Sequence, residues 1–203
     1  MKKYLFISIL FAACSFAGEL SAQNVIVENF DDKIHFDWQE FSDKSGSALI
    51  KNGALELTCN EEEKVKTVQC ELPLRIEGDF KISATIQCPV INDKNFFGIL
   101  FDKDENLNKC LFLLKEAQFK CCIYNDNKPI EFSDTRPIKL KGGKNQTVNI
   151  VLERKGGKYV FSMNNMEIYK WSRDIKSTDF GFYTENKSSI RIEEIRVEQE
   201  FYE

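Results

Sequence analysis

From Phe80 to Cys88 apolar and polar residues alternate without a break, with Phe80, Ile82, Ala84, Ile86 and Cys88 set against Lys81, Ser83, Thr85 and Gln87. A period of two is the signature of a β-strand with one buried face. The same rhythm places Leu55, Leu57 and Cys59 on one side of Ala54, Glu56 and Thr58, and it groups Val68, Cys70 and Leu72 within 66–72. It returns in NQTVNIVL at 145–152 and again around Phe36 and Trp38, which predicts a first strand containing His35. FFGILF (96–101) and KCLFLLK (109–115) are apolar on both faces, as central strands of a two-layer sandwich are.

Turn signals fall at regular intervals between these runs. KEAQ folds 109–124 into a hairpin, RKGG (154–157) leads into KYVFSM, and the Asn164–Asn165 pair leads into MEIYKW, which together form a meander. GFYTE and SIRIEEIRVE close the chain as a last, solvated strand edge. There Ile190, Ile192, Ile195 and Val197 cannot share one face of a regular strand, which predicts a bulge near Glu193 and Glu194. Simple alternation back from Ile195 would otherwise turn Glu193 to the apolar side and Glu194 away from it. About twelve to fourteen short strands, with no sustained helical period, make an all-β sandwich or barrel. No linker or composition shift divides 24–203, so this stretch reads as one domain.

The first residues follow another logic. MKK is followed by the apolar YLFISILFAACSFAG, then by LSAQN with Leu20 and Ala22 at the −3 and −1 positions of a cleavage site. Residues 1–22 therefore read as a secretory signal peptide, which implies a periplasmic or extracellular protein. The alternative is a lipoprotein signal in which FAAC makes Cys14 the lipidated residue. No later segment is apolar enough to span a bilayer as a helix. The net charge of −4, with lysines and acids interspersed, leaves no basic patch for nucleic acid.

Six cysteines follow the leader: Cys59, Cys70, Cys88, Cys110, Cys121 and Cys122. They sit in strand-like runs, as free core thiols or as partners in a bridge between adjacent strands. Cys121 and Cys122 point to opposite faces and cannot pair with each other. With no CxxC and one histidine, His35, a zinc site has no ligand set, and no other cofactor is indicated. DKDENLN (102–108) has the D-x-D-x-N look of a calcium loop. Leu107 stands where that loop needs glycine, however, and Leu113 where it needs glutamate.

The series NGALEL (52–57), DFKISATI (79–86), FFGILFD (96–102), VNIVLERKGGKYVFSMNNMEIY (148–169) and FGFYTENKSSIRIEEIRV (180–197) resembles, in that order, the concanavalin A-like, or laminin-G-like, jelly rolls of secreted Bacteroidetes proteins. The resemblance spans roughly residues 25–199 and implies an all-β, two-sheet antiparallel jelly-roll sandwich. Relatives are lectins, carbohydrate-binding modules, glycoside hydrolases or 3-keto-disaccharide hydrolase-like enzymes. Some such jelly rolls hold calcium, for which no ligand residues can be named here.

The hydrolytic branch of that fold carries its carboxylates in an ExDxE strand, which is absent here. The keto-disaccharide branch ends its glycine-containing strand in a basic residue and places an acid on the next strand. Here FFGILF is followed by Asp102, and KCLFLL has no acid. The expectation is a non-catalytic domain that binds an oligo- or polysaccharide or another cell-envelope partner. The alternatives are a sugar hydrolase of the same fold and an interaction domain without a small ligand. Sugar rings stack on aromatic faces, so Trp171 at a strand exit, with Tyr124 and Asn125 at another, are the candidate carbohydrate-binding residues. No catalytic residue is assigned.

Overall fold

The computed structural model describes residues 22–31, 33–102, 109–125, 128–172 and 176–201; for residues 22, 23, 124, 125, 128–133, 200 and 201 it describes the backbone alone. Fifteen strands and no helix occur among them. In chain order they are β1 (Ala22–Glu28), β2 (Phe41–Asp43), β3 (Gly46–Ile50), β4 (Leu55–Cys59), β5 (Val65–Glu71), β6 (Phe80–Ile91), β7 (Phe97–Phe101), β8 (Lys109–Lys115), β9 (Gln118–Asn125) and β10 (Lys128–Pro137). The rest are β11 (Gly143–Lys155), β12 (Lys158–Met163), β13 (Met166–Trp171), β14 (Asp179–Glu185) and β15 (Ser189–Phe201).

They form two antiparallel sheets. The larger runs β13-β12-β11-β6-β15-β4-β3-β2, with β1 also paired to β15, and the smaller runs β10-β9-β8-β7-β14-β5. This is the expected all-β, two-sheet sandwich. Alternation decides which side of each strand enters the space between the sheets. Phe80, Ile82, Ala84, Ile86 and Cys88 of β6 face inward with Val148, Ile150 and Leu152 of β11, all at 3% exposure or less. Rings from the two sheets meet there: Phe112 lies 5.2 Å from Phe161, Phe119 5.5 Å from Tyr169 and Phe80 5.8 Å from Phe101. Each such pair contributes about 0.5–1.5 kcal/mol beyond the area it buries.

The central strands β7, β8 and β14 are buried on both sides. Their outward residues Leu100, Leu111, Leu113 and Tyr183, with Cys122 of β9, form a second, smaller apolar cluster flanked by Val65 and Phe96. That accounts for the two-sided apolar character of these strands. The outer face of the larger sheet is polar instead, and Thr85 donates its hydroxyl to Asn149 there at 3.0 Å.

The bulge predicted in the last strand is present. The register of β15 on β6 shifts between Ile192 and Glu194, so that Ile190, Ile192, Ile195 and Val197 all point inward. The bulge falls where β15 changes its other neighbour, from β4 at 189–192 to β1 from residue 195 onward. The extra residue lets both glutamates face out, with Glu193 at 4.0 Å from Arg191 and Glu194 exposed. In one respect the structure corrects the sequence: β15 is not a sheet edge, because it pairs on both sides.

A second correction concerns residues 33–40. Phe36 and Trp38 are buried and their neighbours exposed, yet the segment joins neither sheet. The first strand is β1. Its last residue, Glu28, is fully buried and accepts hydrogen bonds from the backbone N–H of Phe30 (3.1 Å), His35 (2.5 Å) and Phe36 (3.3 Å). A side chain therefore supplies the acceptors that a ladder would have supplied.

Candidate functional site

Two strand ends and the 33–40 segment enclose a cleft of about 580 Å³. β5 alternates Val68 and Cys70 inward with Gln69 and Glu71 outward, and Pro73 ends it because proline has no N–H for the ladder. β14 starts beside it at Asp179, directly opposite Glu71 in the antiparallel register. The Asp179 carbonyl accepts from the Asp102 N–H at 3.1 Å, and the buried Asp102 carboxylate accepts from the N–H of Lys176 (2.7 Å) and Ser177 (3.2 Å). The approach to Asp179 is thus fixed by hydrogen bonds rather than left as a free loop.

His35, Asp37, Gln39, Glu71 and Asp179 supply polar groups to the cleft, Pro73 supplies exposed apolar surface, and the buried Phe36 and Leu72 lie behind it. Among the described residues no lysine or arginine lines it. Cys70 sits at its base. Burial raises the pKa of that thiol far above the ordinary thiol range, and the carboxylates of Asp179, Glu28 and Asp37 raise it further. A thiol so placed stays protonated and is a poor nucleophile. Among the described residues no three His, Cys, Asp or Glu side chains converge closely enough to hold a metal ion. The arrangement offers acceptors for hydroxyl groups beside the exposed Pro73.

The residues singled out from sequence lie elsewhere. Trp171 ends β13 opposite Tyr159 and is half-buried, with its ring 4.9 Å from Tyr159 and 5.7 Å from Phe112. Its contacts run into the space between the sheets. Tyr124 and Asn125 end β9, opposite Lys109 and Pro129 and opposite Lys128, and their side chains are outside the described residues. Trp171 and Tyr124 belong to different sheets, and Trp171 is not among the residues that line the cleft. Of the loop at 102–108, residues 103–108 are outside the described residues, and Asp102 is the buried clasp just described.

Trp38, read as a core residue, is 6% exposed and lies 5.8 Å from Phe182. None of the six described cysteines is in a disulfide, and all are buried. Cys110 and Cys121 occupy adjacent strands but are out of register, Cys110 facing Ile123 and Cys121 facing Phe112. Cross-strand bridging requires close, aligned Cα atoms, which a diagonal pair lacks.

No local sequence pattern announces the cleft. Its acids are separated by more than a hundred residues at the extreme, from Asp37 to Asp179. The one local trace is an acidic residue at each strand terminus, in CELP and in TDFG.

No known protein-family model matches the chain, and no curated protein matches it. Solved structures do. A β-glucanase of Bacillus licheniformis superposes with a TM-score of 0.59 at 7% identity, covering 85% of this chain and 97% of that one. The catalytic domain of an endo-1,3-β-glucanase (laminarinase) from Thermotoga petrophila gives 0.59 at 8% identity, covering 88% and 98%. A carbohydrate binding module from Bacillus subtilis gives 0.51 at 13% identity, covering 77% and 91%. The fold is the concanavalin A-like jelly roll. At these identities the likeness is one of fold, which enzymes and binding modules share.

Proposed function

We propose that this protein is an exported domain that binds carbohydrate through the cleft between residues 35–39 and the facing ends of β5 and β14, without cleaving it. The observation that carries the reading is the cleft's lining. Carboxylates and an amide, set on ordered backbone, accept hydrogen bonds from ring hydroxyls, and the exposed Pro73 gives a C–H face a small apolar contact. The shared fold of glucanases and a carbohydrate binding module supports this without deciding between catalysis and binding. The apolar leader at 1–22 supports export, with lipidation at Cys14 as the other route to the envelope.

One observation favours hydrolysis as a second reading. Directly opposite residues of an antiparallel pair have Cβ atoms about 4.5–5.5 Å apart, and Glu71 and Asp179 are such a pair. A retaining glycosidase needs a pair of carboxyl groups about 5–5.5 Å apart, and the register sets two carboxylate-bearing residues side by side, which is the first requirement for such a pair. Against turnover, Glu71 is exposed, whereas glycosidic acids work from apolar surroundings.

The test is a glycan array on the mature protein, with and without calcium, beside Glu71→Gln and Asp179→Asn, followed by a reducing-end assay on any glycan bound. Calcium-independent binding that both substitutions weaken, with no release of reducing ends, is the expected result. An array that stays blank, or a profile the two variants leave untouched, would end the cleft reading. Turnover abolished by either substitution would establish the hydrolase instead.

A further inference from the structure

We infer that Glu28 is the positioning residue of the cleft: one buried carboxylate at the end of β1 sets the wall formed by His35, Phe36 and Asp37. This rests on the reading of the cleft as the binding site, and it adds how the site is assembled.

The 33–40 segment has no ladder partner among the described residues, and its bonds to strands lie at its far end: Gln39 N–H to the Gln69 carbonyl of β5 at 3.0 Å, and the Ile50 N–H of β3 to the Glu40 carboxylate at 2.8 Å. Two further bonds, Trp38 N–H to Phe36 and Glu40 N–H to Trp38, are internal and fix its shape without fixing its place. Trp38 packs against Phe30, Phe36 and Phe182, but its indole N–H has no hydrogen-bond partner among the described residues. Packing of that kind holds a ring in the core yet does little to orient the neighbouring backbone.

Orientation comes from Glu28. Its Oε2 accepts from both His35 and Phe36, consecutive residues of the wall, and its Oε1 accepts from Phe30. Donors on successive residues aimed at one oxygen fix the direction of the chain at that point. Glu28 itself is tied down. It ends β1, which is paired with β15 from Ala22 opposite Phe201 to Glu28 opposite Ile195. The other wall of the cleft, Glu71 and Asp179, belongs to the smaller sheet. The cleft therefore spans the two sheets, and Glu28 relays the position of the larger one to it.

The experiment uses Glu28→Gln, Glu28→Asp and Glu28→Ala in the full mature chain, in a Trp171→Phe background so that Trp38 is the sole tryptophan. Amide hydrogen exchange is followed at His35 and Phe36 and, as an internal control, at Ile82 and Ile150. Affinity is measured for whichever array glycan the parent binds. Glu28→Gln keeps one acceptor oxygen and the side-chain length. In that variant exchange at His35 and Phe36 should accelerate at least tenfold, with the control amides unchanged, a red-shifted Trp38 emission and glycan affinity down about tenfold. Glu28→Asp, which keeps the charge, should restore part of each effect.

Uniform acceleration at all four amides, or none at His35 and Phe36, would overturn the inference, as would wild-type affinity in a variant whose local exchange has risen. If Glu28→Ala does not fold, the glutamine and aspartate variants still decide the matter. A parent that binds no glycan refutes the proposed function, while the exchange and emission readings still judge the positioning role.

Discussion

Glu71 and Asp179 stand directly opposite one another on β5 and β14, two carboxylates turned toward one cleft. Like charges across an antiparallel pair are destabilising, by roughly 0.2–1 kcal/mol. The native pair is therefore a local cost to the fold at the place where a ligand would be held. Removing either charge should relieve it. Glu71→Gln and Asp179→Asn are each expected to raise the melting temperature by about one to three degrees, from roughly 2–4 °C per kcal/mol for a chain of this size. The same substitutions should weaken glycan binding by roughly tenfold or more, the worth of a charged hydrogen bond. Calorimetry on both variants checks the first and titration with the bound glycan the second. A fall in both would mean that the pair is structural.

Trp171 requires a different expectation from that of an exposed platform. Its contacts with Tyr159 and Phe112 place half of the indole against the core. Trp171→Ala should cost about 2 kcal/mol, less than the ~3–5 kcal/mol of a fully buried aromatic, and Trp171→Phe should recover most of it. Chemical denaturation of the two variants measures this. An alanine variant as stable as the parent would show that the ring packs on nothing.

The thiols give a pH dependence with a definite sign. Burial pushes Cys122 up to about 11 and Cys88 up to about 12, and burial with the nearby Cys121 and Asp134 pushes Tyr169 up to about 12. In the unfolded chain thiols titrate near ~8.5 and tyrosine near ~10. The folded state thus keeps protons that the unfolded state has lost. The stability these groups contribute is complete below the unfolded values and declines as pH rises toward 11–12. Denaturation midpoints should hold steady to about pH 8 and then fall. A thiol reagent at pH 8 should leave the folded protein unlabelled and label the buried cysteines once denaturant is added. Rapid labelling of folded protein would contradict the buried placement.

The bulge in β15 offers a register test. Deleting Glu193 removes the extra residue and leaves Ile190, Ile192, Ile195 and Val197 in simple alternation. Deleting Arg196 instead turns Val197 outward. The first deletion should keep the fold with a modest loss of melting temperature, and the second should lose considerably more. Equal losses would show that the bulge is needed for the change of neighbour from β4 to β1, beyond its service to alternation.

Much of the fold was legible along the chain. β8, β12 and β13 coincide with the runs KCLFLLK, KYVFSM and MEIYKW, and β5 begins at Val65, where the helix-like EEEK gives way to alternation. These segments alternate, or are apolar throughout, and end at glycine, asparagine or polar turns, so their patterns needed no partner to be read. β10 was missed. It carries Pro129 and Pro137 and a register irregularity between Pro129 and Ser133, features that an edge strand tolerates and that disguise it in sequence. Residues 33–40 misled for the opposite reason. Alternation around Phe36 and Trp38 reports burial on one side, and burial alone does not distinguish a ladder from a segment held by the Glu28 carboxylate.

For most of the strands, β10 excepted, the sequence by itself determined their place and which side enters the core, because the pleat turns alternation into faces within a few residues. It also placed the bulge at Glu193–Glu194, since the mismatch of apolar spacing is visible locally. Only the tertiary structure decided the cleft. Asp37, Glu71 and Asp179 meet through the register of β14 on β5 and through the reach of Glu28 from β1. Such contacts join residues far apart in the chain, and no local pattern records them.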